Sequence, residues 1–121
     1  MTTPDPRFGG IARLYGTDGL AKLQAAHMLV VGIGGVGSWV VEALARTGVG
    51  KITLIDMDDI CVTNTNRQLP AMTGTVGRLK VEVMAERARA INPDCTVTPV
   101  MDFVTPANLS THLEGDIDCV V

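Results

Sequence analysis

A glycine-rich turn, Gly32-Ile33-Gly34-Gly35-Val36-Gly37, directly follows the apolar run Met28 to Val31 and constrains this chain more than any other feature. The run has the length and composition of a parallel strand covered on both faces. Gly34 to Arg46 then reads as a helix, with Val36, Val40, Ala43, Leu44 and Thr47 expected on its inward face and Gly48 and Gly50 ending it. In such a unit Gly32 permits the tight bend, Gly34 clears the backbone for an approaching phosphate, and Gly37 lets helix and strand pack closely. The helix N-terminus adds free amides and a partial positive charge. A second strand, Lys51 to Ile55, ends at Asp56, about 20 residues past the turn, where an acid in a dinucleotide-type unit holds ribose hydroxyls.

The rest of the chain repeats the alternation. Val76 to Ile91 reads as a helix stopped at Asn92-Pro93, with Val76, Leu79, Val83 and Ala90 inward. Thr96 to Met101 is a third strand, Pro106 to Leu113 a short helix opened by Thr105, and Ile117 onward a fourth strand. Strands alternating with helices predict an α/β Rossmann-like fold, a parallel sheet flanked by helices with right-handed crossovers. Residues 1–26 form a separate N-terminal helical arm, with Leu14, Leu20 and Leu23 as candidates for burial and Gly16 and Gly19 as breaks. Its first six residues are rich in Pro and expected to be mobile. Residues 27–121 form the nucleotide-binding domain. It is expected to be incomplete, because Asp116 to Val121 reads as the start of a buried strand.

Composition narrows the function classes. With 46% hydrophobic and 19% charged residues in 121, the chain has enough apolar side chains for one core. A net charge of −3 carries no nucleic-acid footprint in this stretch. No cationic leader precedes an apolar run, and no run of about 18 apolar residues spans a membrane. The three cysteines, Cys61, Cys95 and Cys119, are odd in number and lack CxxC spacing, which fits a reducing cytoplasm. All three read as small buried residues. His27 and His112 have no partner at metal-ligand spacing, and Trp39 reads as a packing residue.

The segment after Asp56 separates two kinds of nucleotide chemistry. A hydride-transfer enzyme needs the turn and the acid but no cations converging on a further phosphate. Here Asp58, Asp59, Thr63, Asn64, Thr65, Asn66, Arg67 and Gln68 make a loop dense in donors and acceptors. Arg67 is suited to bidentate phosphate contacts. Lys80, near the start of a helix, opposes the helix dipole unless it faces a polyphosphate.

The pieces GIGGVG at 32–37, LIDMDDICVTNTNRQ at 54–68 and VGRLK at 76–80 resemble the ubiquitin-activating-enzyme-like superfamily of adenylating enzymes. Within it, RFGGIARLYG at 7–16, ALARTGVGKITLIDMDD at 43–59 and DFVTP at 102–106 are similar to the tRNA threonylcarbamoyladenosine dehydratases. The resemblance implies ATP-dependent activation of the carboxylate on threonylcarbamoyladenosine 37 of tRNA, followed by cyclisation with loss of AMP. By resemblance Gly35 lies beside the phosphates, Asp56 holds the ribose, and Asn64, Arg67 and Lys80 contact ATP, with Arg67 and Lys80 neutralising developing charge. Asp58 matches a further acid of unassigned role. A homodimer and sulfur-relay partners of a cysteine desulfurase system are implied as well. The family's Mg2+-binding aspartate and its reactive cysteine are expected beyond Val121, which would leave this stretch inactive alone. Many members carry an arginine where Gly10 stands here, leaving Arg7 or Arg13 to replace it. Competing readings are activation of a ubiquitin-like sulfur carrier, an NAD-dependent oxidoreductase resting on the turn and Asp56 alone, and a non-catalytic ATP-binding relay subunit.

Overall fold

In a computed structural model, residues 5–121 are described, so the reading of residues 1–4 lies outside them. A 3-10 turn at Pro6–Phe8 is capped by Asp5, whose Oδ1 accepts from the Arg7 N–H at 2.9 Å. It leads into α1, Gly9–Ala25, which is kinked at Gly16 by a left-handed conformation (φ 80°). Phe8 and Leu20 are buried and Leu23 packs against the core, but Leu14, ahead of the kink, is exposed.

The remaining elements are β1 (His27–Val31), α2 (Gly37–Arg46), β2 (Lys51–Ile55), a 3-10 turn (Val62–Asn66), α3 (Lys80–Ile91), β3 (Thr96–Val100), α4 (Leu109–His112) and β4 (Cys119–Val120). The four strands form a wholly parallel sheet in the order β3-β2-β1-β4. Register places Leu29 beside Thr53 and Val120, and Ile52 beside Val97. This is the Rossmann-like α/β arrangement that the alternation predicts. The chain steps outward from β1 to β3 and then returns to β1's other side. That reversal creates a switch point at β1, and ligands of open α/β sheets bind outside the carboxyl ends of the strands at such points.

Val30, Ile52 and Leu54 from the sheet pack with Val41 and Ala45 of α2 and with Val81, Met84, Ala85 and Ala88 of α3. The two helices are joined by Arg87, whose Nε and Nη2 donate to Glu42 at 2.6 and 3.0 Å. Their inward faces are as expected at Val40, Leu44, Leu79 and Val83 and differ elsewhere. Val36 precedes α2 and is exposed, as is Ala43, whereas Ser38 is buried. Val76 lies in the approach to α3, which begins only at Lys80, and Ala90 faces outward. Leu79 and Val83 do point inward, Val83 into a small second cluster with Ile60 and Ala71 under the long loop. Among the described residues no helix is long and apolar enough to cross a membrane.

Candidate functional site

The carboxyl ends of β1 and β2 bring the glycine turn and Asp56 together. Gly32 adopts φ +88°, a conformation that other residues reach only with strain, and its N–H donates to the Ile55 carbonyl at 2.8 Å. A Cβ on Gly37 would run into the Gly32 carbonyl, so glycine at 37 is required for α2 to start this close to β1. The N–H groups of Gly34, Gly35 and Val36 find no acceptor among the described residues, which leaves the end of α2 with free donors of the kind that bind anions.

Asp56 has a task the sequence reading did not give it. Its Oδ2 accepts from the Ile33 N–H at 2.6 Å and its Oδ1 from the Asp58 N–H at 2.7 Å. The acid therefore fastens the turn to the loop while keeping lone pairs for a ligand. A cleft of about 140 Å³ opens beside it, lined by Val31, Gly32, Ile55, Asp56, Met57 and Asp58, and by Asp102, Phe103 and Val104 beyond β3. This volume suits one end of a nucleotide, a base or a sugar, rather than the whole molecule. Asp102 closes the rim by accepting from Asn108 (3.3 Å) and sharing a hydrogen bond with the His112 ring (2.9 Å). A larger cavity of about 760 Å³ lies under α1, lined largely by Tyr15, Leu23, Ala25 and Ala26, at the sheet's opposite end.

The loop from Met57 to Leu79 is long but not loose. The Ile60 N–H donates to the Arg78 carbonyl at 2.8 Å, the Gly77 N–H to the Ile60 carbonyl at 2.9 Å, and the Lys80 N–H to the Asp58 carbonyl at 3.1 Å. These bonds set Lys80 at the start of α3 next to the segment that leaves Asp56. Lys80 is 7% exposed and has no carboxylate within ion-pair distance among the described residues. A buried cation with no acidic partner at a helix N-terminus is costly unless an anion joins it. Asn64 is buried, and its Oδ1 caps the loop by accepting from the Cys61 N–H at 2.9 Å. The Arg67 Nη1 donates only to neutral groups, the Asn66 Oδ1 at 2.8 Å and the Thr63 carbonyl at 3.2 Å. Its stem lies over Gly35, where a Cβ would stand 3.6 Å from Arg67 Cγ. Gln68 is buried beneath Gly34, with an Oε1 that has no partner. The structure thus gathers Gly32, Gly34, Gly35, Gly37, Asp56, Asp58, Asn64, Arg67 and Lys80 around the carboxyl ends of β1 and β2.

Other expectations fail or shift. Cys61 is exposed rather than buried, because it lies in the loop ahead of the 3-10 turn. The Thr63 hydroxyl donates to its Sγ at 3.1 Å and, helped by backbone N–H groups and the Lys80 charge, holds the thiol below its ordinary value. Cys95 is buried as expected, and burial pushes its thiol up. Cys119 is exposed, since the two-residue β4 is covered on neither face. Trp39 is 54% exposed and donates its indole N–H to the Arg67 carbonyl at 3.0 Å, a polar role that helical periodicity does not reveal. His27 ties strands together at the far end, between Asp116 (3.2 Å) and Thr53 (2.7 Å). The Arg7 guanidinium pairs with Asp5 at 2.7 Å, and that of Arg13 folds back beside Gly9 and Gly10. Among the described residues no three His, Cys, Asp or Glu side chains converge to hold a metal ion.

Residues 10–121 match a known family model, the ThiF family. The chain belongs to the ThiF family. One relative, the tRNA threonylcarbamoyladenosine dehydratase of Haemophilus influenzae, is 64% identical over 97% of this chain and 45% of its own length. The molybdopterin-synthase adenylyltransferase of Salmonella typhimurium is 42% identical over 90% of the chain and 45% of its own length. A crystal structure of the Escherichia coli tRNA N6-threonylcarbamoyladenosine dehydratase TcdA in complex with ATP superposes with a TM-score of 0.93 at 62% identity, over 94% of this chain and 47% of that one. The ThiF chain described here therefore spans about half the length of the relatives it matches.

Proposed function

We propose that this chain is the nucleotide-binding part of an ATP-dependent tRNA threonylcarbamoyladenosine dehydratase. The observation that carries the reading is Lys80, a largely buried cation without an acidic partner among the described residues, whose backbone is tied to the segment leaving Asp56, together with the free amides of the glycine turn and an arginine over that turn bonded only to neutral groups. Such a set fits a triphosphate better than the single pyrophosphate of a nicotinamide cofactor. The high identity to proteins named as this dehydratase supports the substrate.

In this reading the amides of Gly34 and Gly35 meet the phosphates, Asp56 receives ribose hydroxyls in the cleft, and Asn64 and Asp58 border them. The threonylcarbamoyl carboxylate attacks the α-phosphorus, the bond to the β-phosphate oxygen breaks, and pyrophosphate leaves. Arg67 and Lys80 stabilise the negative charge gathering on that oxygen, the dominant contribution in transfers of this kind. Ring closure on the activated carbonyl then expels AMP. The magnesium that accompanies ATP would find its aspartate beyond residue 121, and the homodimer and sulfur-relay partners belong to the same proposal.

Pyrophosphate release by the full-length protein tests this directly. Release that requires ATP and tRNA carrying threonylcarbamoyladenosine is the expected result. Release that ignores tRNA and requires a small carrier protein would transfer the assignment to carrier activation. Binding of NADH without ATP would overturn the adenylation chemistry altogether.

A further inference from the structure

The first turn of α2 does more than present amides. Ser38 is buried, and its hydroxyl donates to the Gly34 carbonyl at 2.5 Å while accepting from the Leu69 N–H at 3.3 Å. Next to it, the Trp39 indole N–H donates to the Arg67 carbonyl at 3.0 Å. The backbone on either side of Gln68 is thus held by the same helical turn that carries the anion-facing end. Arg67 closes the 3-10 turn at φ −151° and ψ −9°, and no backbone N–H of the described residues donates to its carbonyl. The indole supplies that missing donor. With 54% of its surface exposed, Trp39 contributes little to the core, so apolar burial does not account for an indole here.

We propose that Trp39 is a positioning residue for Arg67. Its N–H fixes the Arg67 carbonyl, which sets the arginine stem across Gly35 and aims the guanidinium at the anion bound by the glycine turn. The inference rests on the ATP reading above, and it adds a residue whose effect passes through the arginine alone. Trp39→Phe keeps an aromatic side chain on the exposed face and removes the indole donor.

The test is calorimetric titration of the full-length protein with ATP and, separately, with adenosine, which has no phosphate for Arg67 to meet. Trp39→Phe is expected to weaken ATP about five- to tenfold, the scale of one lost hydrogen bond, with adenosine affinity unchanged. In an Arg67→Ala background the same substitution should change ATP affinity by less than about twofold, since coupled residues are not additive. Unaltered ATP affinity in Trp39→Phe overturns the proposal, as does an equal loss for ATP and adenosine or a full loss persisting without Arg67. A wild-type protein that fails to bind ATP sinks the parent reading and this one with it, whereas normal wild-type binding with an insensitive Trp39→Phe sinks this one alone.

Discussion

Lys80 should make the protein less stable when empty and more stable when loaded. It is the first residue of α3, 7% exposed, and has no acidic partner among the described residues. A cation at a helix N-terminus costs about 0.3–1 kcal/mol from the dipole, and the partial loss of solvent around its head adds to that. Lys80→Met preserves most of the volume and removes the charge. The empty variant should therefore gain about 1 kcal/mol, a rise of roughly 4 °C in melting temperature for a domain of this size. ATP at about 100 times its dissociation constant should stabilise the wild type by about 2.7 kcal/mol, and the variant should lose most of that gain. The two proteins then exchange rank, the variant melting higher without ATP and the wild type higher with it. Thermal unfolding of both, with and without ATP, reads this in four curves. An empty variant that melts below the wild type would show that Lys80 serves the fold, and a full ATP-induced rise in the variant would show that it does not meet the phosphates.

Two further outcomes follow from charge and exposure. The Arg87 guanidinium, with help from Arg46, holds the Glu42 carboxyl below its ordinary 4.5, so this bridge between α2 and α3 stabilises the fold above that pH and is lost as pH falls through the lowered value. Glu42→Gln should cost about 1 kcal/mol in urea unfolding at pH 7 and progressively less below pH 4.5; a cost independent of pH would refute an ionic origin. Cys61, exposed and held below its usual value first by the Thr63 hydroxyl, should be alkylated at pH 7–8 well before the buried Cys95, and Thr63→Val should slow it; equal labelling of the two thiols on peptide mapping would contradict the geometry.

Much of the fold was legible because its signals are local. The run at 28–31, the turn at 32–37 and the acid at 56 each constrain the backbone within a few residues, and their order dictates a parallel sheet. The helical faces were less legible. The expected inward face of α2 counted Val36, which is the exposed N-cap residue, and missed Ser38, which is buried where its hydroxyl bonds the Gly34 carbonyl and the Leu69 N–H. Likewise the loop's own backbone bonds around Ile60 and Gly77 hold the chain out of helix until Lys80, leaving Val76 exposed. In the site, charged residues announced themselves by type, whereas Trp39 reaches the Arg67 carbonyl across 28 positions of sequence and Gln68 is set apart by a buried oxygen without a partner. Gln68 closes the quoted motif at 54–68, but its burial cannot be read there, and the indole's contact belongs to no short motif.

The two hydrogen bonds accepted by Asp56 carry a lesson about how residue 56 should be probed. Each of its carboxylate oxygens takes one backbone N–H, from Ile33 on one side and Asp58 on the other. An asparagine offers a single acceptor oxygen, and its amide nitrogen would confront an N–H with another donor. Asparagine, the customary conservative replacement, would therefore loosen the joint between turn and loop before any sugar arrived. Aspartate is demanded here twice over, by the apoprotein's own backbone and by the nucleotide it is proposed to bind. A loss of binding in Asp56→Asn would blend the two demands, and amide exchange at Ile33 and Asp58 in the empty protein is the measurement that separates them.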